Sequence, residues 1–132
     1  MATINRFEDL EIWQLARAYC KRVFPLTCIE PFSRDFKLRD QINDSSGSIM
    51  DNIAEGFERM GKNEFVHFLT IAKGSCGESR SQLYRAFDRQ YIDETTLAEL
   101  VQTSEIISRK TGAFIQYLNT SDHPGAKFKD RK

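Results

Sequence analysis

The sequence has few of the residues that interrupt helices or build reactive sites. Its 132 residues include three prolines and seven glycines, so long uninterrupted helices are allowed. The two histidines, His67 and His123, share no metal-binding spacing with any cysteine, so we expect neither a metal site nor a cofactor. The cysteines are odd in number and show no paired spacing, which favours reduced thiols in a cytoplasmic protein. They are Cys20, Cys28 and Cys76.

The sequence also lacks a long apolar run and an excess of either charge. No run approaches the roughly 20 apolar residues that cross a bilayer, and charged residues interrupt the first ten positions. We therefore expect neither a membrane span nor a signal peptide. The 19 Lys and Arg residues balance 19 Asp and Glu residues, which argues against nucleic-acid binding driven by overall charge. A local basic patch is still compatible with this balance.

The residues that are present indicate a helical globular domain. With 40% hydrophobic and 29% charged residues, the chain has the composition of a folded protein. Apolar residues recur with the helical period, and no strand pattern competes. The pattern predicts an all-α protein, an antiparallel up-and-down four-helix bundle, with helices over about residues 8–24, 34–57, 63–91 and 94–118.

Local signals set the limits of these helices. Pro25 ends or kinks the first helix, Ser33 is the predicted N-cap of the second, and Gly61 breaks the chain before the third. Asp93 or Thr95 can cap the fourth helix. One bundle domain over residues 1–118 is therefore predicted, followed by a flexible C-terminal tail over residues 119–132.

The second predicted helix carries a polar stripe beside its apolar one. Small polar side chains recur there at spacings of four and three, where a solvated face usually carries Lys and Glu. Small polar side chains beside a core indicate a closely packed neighbour to which they hydrogen-bond. We predict a structural polar network between the second and third helices, formed by Gln41, Ser45, Ser48, Asn52, Glu55, Arg59, Glu78 and Gln82.

Two helices carry more apolar surface than one bundle core readily buries. On the first helix, either a small bundle buries the surplus residues or they form a subunit interface. On the third helix, an aromatic line turned about 100° from the apolar stripe either covers a loop or the end of the first helix, or contacts another subunit. We predict a homo-oligomer with an interface formed by Trp13, Ala16, Cys20, Tyr84, Phe87 and Tyr91.

Candidate catalytic groups lack the partners that catalysis requires. Glu55 and Glu78 are the candidate acids or bases, with Arg59 one turn after Glu55 as an ion-pair partner. No Ser-His-Asp set, phosphate-binding glycine loop or Glu-x-x-His motif accompanies them. We therefore expect a non-catalytic protein, with a scaffold or interaction role.

Three ordered blocks of the sequence resemble a known family. They are F-E-D-L-E-I-W-Q-L-A at residues 7–16; L-R-D-Q-I, S-I and N-I-A-E-G within residues 38–56, with Arg59 after them; and F-L-T-I-A-K-G-S at residues 68–75, followed by Glu78, Gln82 and Leu83. Over about residues 7–118 the chain resembles the 23S rRNA-intervening-sequence family, also called four helix bundle protein. The resemblance implies the same bundle and assembly into pentameric rings or barrels.

The resemblance also implies a second function, as a nucleic-acid-binding accessory subunit. Some members of that family look like basic pentameric proteins that associate with reverse transcriptases or RNA. The residues that motivate an RNA or DNA contact here are Arg17, Lys21, Arg22, Arg80, Arg85 and Arg89. The alternative is a solvated face with ordinary ion pairs. The run Asn43-Asp44-Ser45 replaces a segment that is basic and alanine-rich in the family, which removes positive charge from that position.

Overall fold

Four antiparallel helices account for most of residues 4–120, the part of the chain that the computed structural model describes. In chain order they are α1 (Glu11–Leu26), α2 (Phe36–Glu58), α3 (Lys62–Asp88) and α4 (Glu94–Asn119). Helices that are consecutive in the chain pack side by side, and α4 closes the bundle against α1. The predicted all-α up-and-down bundle is therefore confirmed, with α1 and α3 on one diagonal.

The helix limits depart from the prediction mainly at the start of α1 and α2. A 3-10 helix at Phe7–Asp9 precedes α1, and Pro25 lies in the last turn of α1 rather than beyond it. The prediction of Ser33 as N-cap of α2 is wrong. A second 3-10 helix, Phe32–Arg34, occupies that position, and the Asp35 side chain caps α2 by accepting from the Leu38 N–H at 3.2 Å. A carboxylate there also complements the helix dipole.

Gly56 lets α2 and α3 approach closely beside their connecting turn. A Cβ at this position would lie 2.7 Å from the Phe68 Cβ and 2.9 Å from the Phe65 Cδ1, both shorter than van der Waals contact. Only a glycine therefore fits without displacement of the aromatic side chains of α3. In the turn itself, Met60 adopts the left-handed conformation (φ 70°), while Gly61 begins α3 from extended backbone.

The core is apolar along its length, with one polar contact across the diagonal. The Tyr19 hydroxyl of α1 and the Ser79 hydroxyl of α3 lie 2.8 Å apart, and both side chains are fully buried. Burial raises the pKa of Tyr19 far above its ordinary value, so the phenol stays neutral. A neutral, paired hydroxyl fixes the register of α1 against α3 without a buried charge.

The predicted C-terminal tail lies outside the described residues, except for its first two positions. At these positions α4 continues to Asn119, and Thr120 follows it as the C-cap. The Asp93 carboxylate caps the start of α4 by accepting from the Thr96 N–H at 2.8 Å, which lowers the pKa of Asp93. Of the two predicted caps, the structure therefore selects Asp93.

Candidate functional site

Side-chain hydrogen bonds connect α2 to α3 at three levels of the bundle. The three pairs are Gln41 with Arg85 (3.2 Å), Ser45 with Gln82 (2.6 Å) and Ser48 with Ser75 (2.9 Å). We call this set the α2–α3 seam. Ser45 and Gln82 are buried, and Arg85 and Ser75 come from outside the predicted network. The small polar stripe of α2 thus finds its partners within the protomer.

Two further members of the predicted network extend the seam. Asn52 donates to the carbonyl and the hydroxyl of Ser48, both at 2.8 Å. The Gln82 amide donates to Glu78 at 3.4 Å. Since the hydroxyl of Ser48 accepts from Asn52, its own proton is available to Ser75. The seam is therefore a row of three hydrogen-bonded groups along one flank of α2.

Glu55 and Arg59 lie apart from the seam, so the prediction that placed them in it is corrected. They form an ion pair with each other at 2.9 Å, and Arg59 also reaches Glu64 at 4.0 Å and lies over the Phe68 ring. These contacts belong to the α2–α3 turn. Sequence spacing puts both residues on the polar stripe, but the stripe continues past the last hydrogen-bonded pair of the seam.

Asp35 connects the start of α2 to the end of α3, which the sequence did not predict. One carboxylate oxygen caps α2, and the other accepts from the Tyr91 hydroxyl and from Arg89, both at 2.8 Å. The Tyr91 hydroxyl and these other donors lower the pKa of Asp35 below its ordinary value. Tyr91 also stacks on the buried Phe32 ring, with 4.9 Å between ring centroids.

The opposite flank of α2 borders an apolar groove along α1. Its lining residues are Arg17, Cys20, Lys21, Phe24, Pro25 and Met50, around a volume of about 460 Å³. We call it the α1–α2 groove. Phe24 is 57% exposed at its edge, and Phe36, on the same flank of α2, is 63% exposed. Large side chains with that much exposure are the surface that a partner would cover.

The two helices beside the α1–α2 groove carry opposite exposed charge, although the charged residues that line the groove itself are both basic. Arg17 and Lys21 lie on the α1 edge, and both are exposed. The outer face of α2 carries the exposed carboxylates of Asp40, Asp44, Asp51 and Glu58. A groove between a basic helix face and an acidic one can pair with a second copy of itself, because each face meets its opposite.

Met50 and the basic–acidic edges were absent from the predicted interface, although the sequence contains a signal for them. Phe36, Gly47, Met50 and Ala54 recur at spacings of eleven, three and four, which places them on one flank of α2. Because glycine and alanine are only weakly apolar, the apolar periodicity of this flank is weaker than the signal of the polar stripe.

The predicted interface residues separate into three environments. Ala16 is fully buried inside the protomer, so its place in a subunit interface is corrected. Trp13 and Cys20 are half-buried on the groove side of α1. Tyr84 is 48% exposed on α3, whereas its neighbours in the aromatic line, Phe87 and Tyr91, pack against the core. Tyr91 thus covers the connection before α2, which was the alternative to a subunit contact.

The predicted nucleic-acid residues do not form one patch. Four of them bind side chains within the protomer: Arg22 with Glu99, Arg80 with Ser104, Arg85 with Gln41 and Arg89 with Asp35. The remaining two, Arg17 and Lys21, lie on the α1 edge of the groove. Arg17 lies over the Trp13 ring at 5.7 Å from its centroid. The structure therefore reduces the six candidates to one basic–aromatic cluster.

The described part of the chain, residues 4–120, meets the requirements of neither a metal site nor a membrane span. Within residues 4–120, no three His, Cys, Asp or Glu side chains are grouped as metal ligands would be. None of the helices α1 to α4 combines the length and hydropathy of a membrane span. Cys20, Cys28 and Cys76 are free thiols, and burial raises the pKa of Cys76.

Comparison with known proteins gives a family and a fold. The profile of the family described as 23S rRNA-intervening sequence protein matches residues 8–113. Among solved structures, a similar one is a protein of unknown function from the S23 ribosomal protein family of Bacteroides thetaiotaomicron. It has a TM-score of 0.73 and 20% identity, and the match covers 80% of this chain and 98% of that chain. None of the curated proteins is similar in sequence to this chain.

Proposed function

This chain belongs to the 23S rRNA-intervening sequence protein family, and we propose that it is an oligomeric helical scaffold without catalysis of its own. Copies of the chain associate through the α1–α2 groove. The observation that carries this proposal is an uncovered apolar groove with a basic α1 side, next to an α2 whose outer face carries exposed carboxylates. A protein that worked as a monomer would gain nothing from leaving Phe24 and Phe36 more than half exposed.

The energetic argument follows from the size of the exposed side chains. Full burial of a large apolar side chain contributes about 1.5–3 kcal/mol, so Phe24 and Phe36, both more than half exposed, can supply part of an association energy, and the half-buried Met50 adds less. The charged edges add orientation and speed of encounter more than affinity. The polar stripe of α2 contributes little to association, because its hydrogen bonds are already made in the seam.

The geometry of the groove is compatible with closed assemblies. Two copies can pair groove to groove about a two-fold axis, or the α1 edge of one copy can pack on the α2 edge of the next and close a ring. The family resemblance favours the ring, and with it the pentamer. The number of copies in the particle therefore distinguishes the two arrangements: groove-to-groove pairing gives a dimer, and edge-to-edge packing gives a ring.

Matched aspartate variants test the proposal. Phe24→Asp places a charge in the groove, and Tyr84→Asp places the same charge on a similarly exposed aromatic of α3. Light scattering after size-exclusion chromatography should show that Phe24→Asp is dissociated while Tyr84→Asp keeps the mass of the wild type. Dissociation by Tyr84→Asp alone would assign the interface to α3. Circular dichroism checks that both variants remain helical.

A second candidate function is nucleic-acid binding at the basic–aromatic cluster. A shallow hollow of about 590 Å³ brings Trp13, Arg17 and Lys21 together with Arg6, which pairs with Glu8 and Asp9 in the same hollow. Aromatic rings that stack on bases, beside cations that contact phosphates, are typical of single-stranded nucleic-acid binding. Affinity for an RNA or DNA oligonucleotide should fall steeply with salt and fall further in Lys21→Gln. Absence of binding at low salt with micromolar protein would exclude this function.

A further inference from the structure

A cleft between α3 and α4, on the side of the bundle away from the α1–α2 groove, concentrates positive charge. Its volume is about 350 Å³, and its lining residues are Lys73, Arg80, Glu105, Ser108 and Arg109. Three cationic side chains thus share one cleft with a single carboxylate. Because like charges repel, this arrangement favours an anion between them.

The three cations of the cleft are not neutralised within the protomer. Across residues 4–120, no ion pair involves Lys73, Arg80 or Arg109. Glu105 lies one turn before Arg109 on α4, yet the two form no ion pair either. The arginines that do lie within 4.0 Å of a carboxylate are Arg6, Arg22, Arg34, Arg39, Arg59 and Arg89. The cleft therefore brings together three positive charges that form no ion pair within residues 4–120.

Two of the cations are held in place across the α3–α4 contact. A Cβ at Gly112 would lie 3.1 Å from the Lys73 Cε, so the lysine stem rests on α4 where a side chain is missing. Arg80 is half-buried, and its Nη1 donates to the Ser104 hydroxyl at 3.1 Å. A Cβ at Gly77 would lie 3.9 Å from the Arg80 Nη2, so the guanidinium lies close along α3. Arg80 therefore loses little further freedom when an anion binds, whereas Lys73 is exposed and only its stem rests on α4.

We propose that the α3–α4 cleft binds a phosphate group. Two guanidinium groups can donate in parallel to phosphate oxygens, a lysine adds a point charge, and the Ser108 hydroxyl can donate as well. The same chemistry serves a small phosphate anion or one phosphate of a nucleic-acid strand. The proposal does not depend on self-association, because the cleft and the groove lie on different helix pairs.

An NMR titration of the ¹⁵N-labelled protein with inorganic phosphate tests this site, with sodium chloride at equal ionic strength as the reference. The amide signals of Lys73, Ser108 and Arg109 should move with phosphate and not with chloride. Lys73→Gln and Arg109→Gln should each weaken phosphate binding at least fivefold. Lys37→Gln removes an exposed lysine from α2 and should leave binding unchanged. Melting temperatures confirm that the variants are folded.

A parallel titration with a short single-stranded oligonucleotide identifies the source of the phosphate. If both titrants move the cleft signals and both weaken in Arg109→Gln, the cleft takes phosphate from a strand as well as in free form. If only inorganic phosphate does so, the ligand is a small anion. The proposal is overturned if neither titrant moves these signals beyond the chloride reference, or if Lys37→Gln weakens binding as much as Arg109→Gln.

Discussion

The two flanks of α2 differ in where their side chains find partners. On the flank toward α3, small polar residues pair with α3 at three levels, and Gly56 brings the two helices into close contact. On the flank toward α1, Met50 borders a groove that no other part of residues 4–120 fills, and Phe36 on the same flank is 63% exposed. One flank of α2 therefore makes its side-chain contacts within its own chain, and the other flank has apolar surface available to a second chain.

This difference shows that polarity alone is a poor guide to an interface. The polar stripe differs in the sequence from an ordinary solvated face, which would favour an interface. Its hydrogen bonds are nevertheless made within the protomer, in the α2–α3 seam. On the plainer flank, which carries Phe36, Gly47, Met50 and Ala54, Phe36 is largely exposed and Met50 is only half-buried in the protomer. Partner-facing surface is recognised by the exposure of large side chains.

The largest expected effect comes from closing the space at Gly56. Gly56→Ala puts a Cβ against the Phe68 Cβ and the Phe65 ring, so we expect a loss of about 2–3 kcal/mol of unfolding free energy. Gly47→Ala, on the same helix with nothing within 4 Å, should gain about 0.5–1 kcal/mol from helix propensity. Urea unfolding at fixed protein concentration measures both. Equal effects at the two positions would contradict the close contact.

The fold and part of the seam could be predicted from the sequence, because both follow from helical periodicity. Ser45 and Gln82 lie on stripes that face each other once α2 and α3 are antiparallel neighbours. Periodicity could not show that Glu55 and Arg59 lie beyond the last hydrogen-bonded pair of the seam. It also missed Asp35, because its partners Arg89 and Tyr91 come from the far end of α3 and depend on tertiary contact.

Removing Asp35 should have the second-largest effect. Asp35→Ala deletes the N-cap of α2 and leaves the Tyr91 hydroxyl and Arg89 without their acceptor, so we expect a loss of about 1–2 kcal/mol. Because the folded-state pKa of Asp35 is lowered, its stabilisation is present above the ordinary carboxyl pKa and is lost as pH falls through the folded-state value.

Urea unfolding at several pH values checks the sign of this effect. The difference between wild type and Asp35→Ala should be full at pH 6 to 7 and should shrink at pH values below about 4, the ordinary carboxyl pKa. A difference that grew on acidification would contradict the contacts assigned to Asp35.

A double-mutant cycle on Ser45 and Gln82 tests whether the seam stabilises the protomer. Each alanine variant should lose about 1 kcal/mol, with a coupling energy of about 0.5–1.5 kcal/mol, because the hydroxyl and the amide oxygen lie 2.6 Å apart in a buried position. The same variants should leave the mass of the native particle unchanged. A change in mass without a change in stability would move the seam into an interface.

The smallest effect is expected at the charged edge of the groove. Lys21→Glu should weaken association about two- to fivefold at low salt, since it places a carboxylate against the acidic edge of a second copy. The difference from wild type should fade at high salt, where such contacts are screened. Sedimentation velocity at two salt concentrations measures it, and an effect that is independent of salt would contradict an electrostatic role.

The central claim is that α2 packs through one flank on α3 of its own chain and through the other on a second copy of the protein. The mass of the native particle tests this claim most directly. Sedimentation equilibrium across a range of concentrations should give a multiple of the 15.3 kDa chain mass, and Phe24→Asp should return the mass of one chain. A wild-type protein that stays at 15.3 kDa at high concentration would contradict the account.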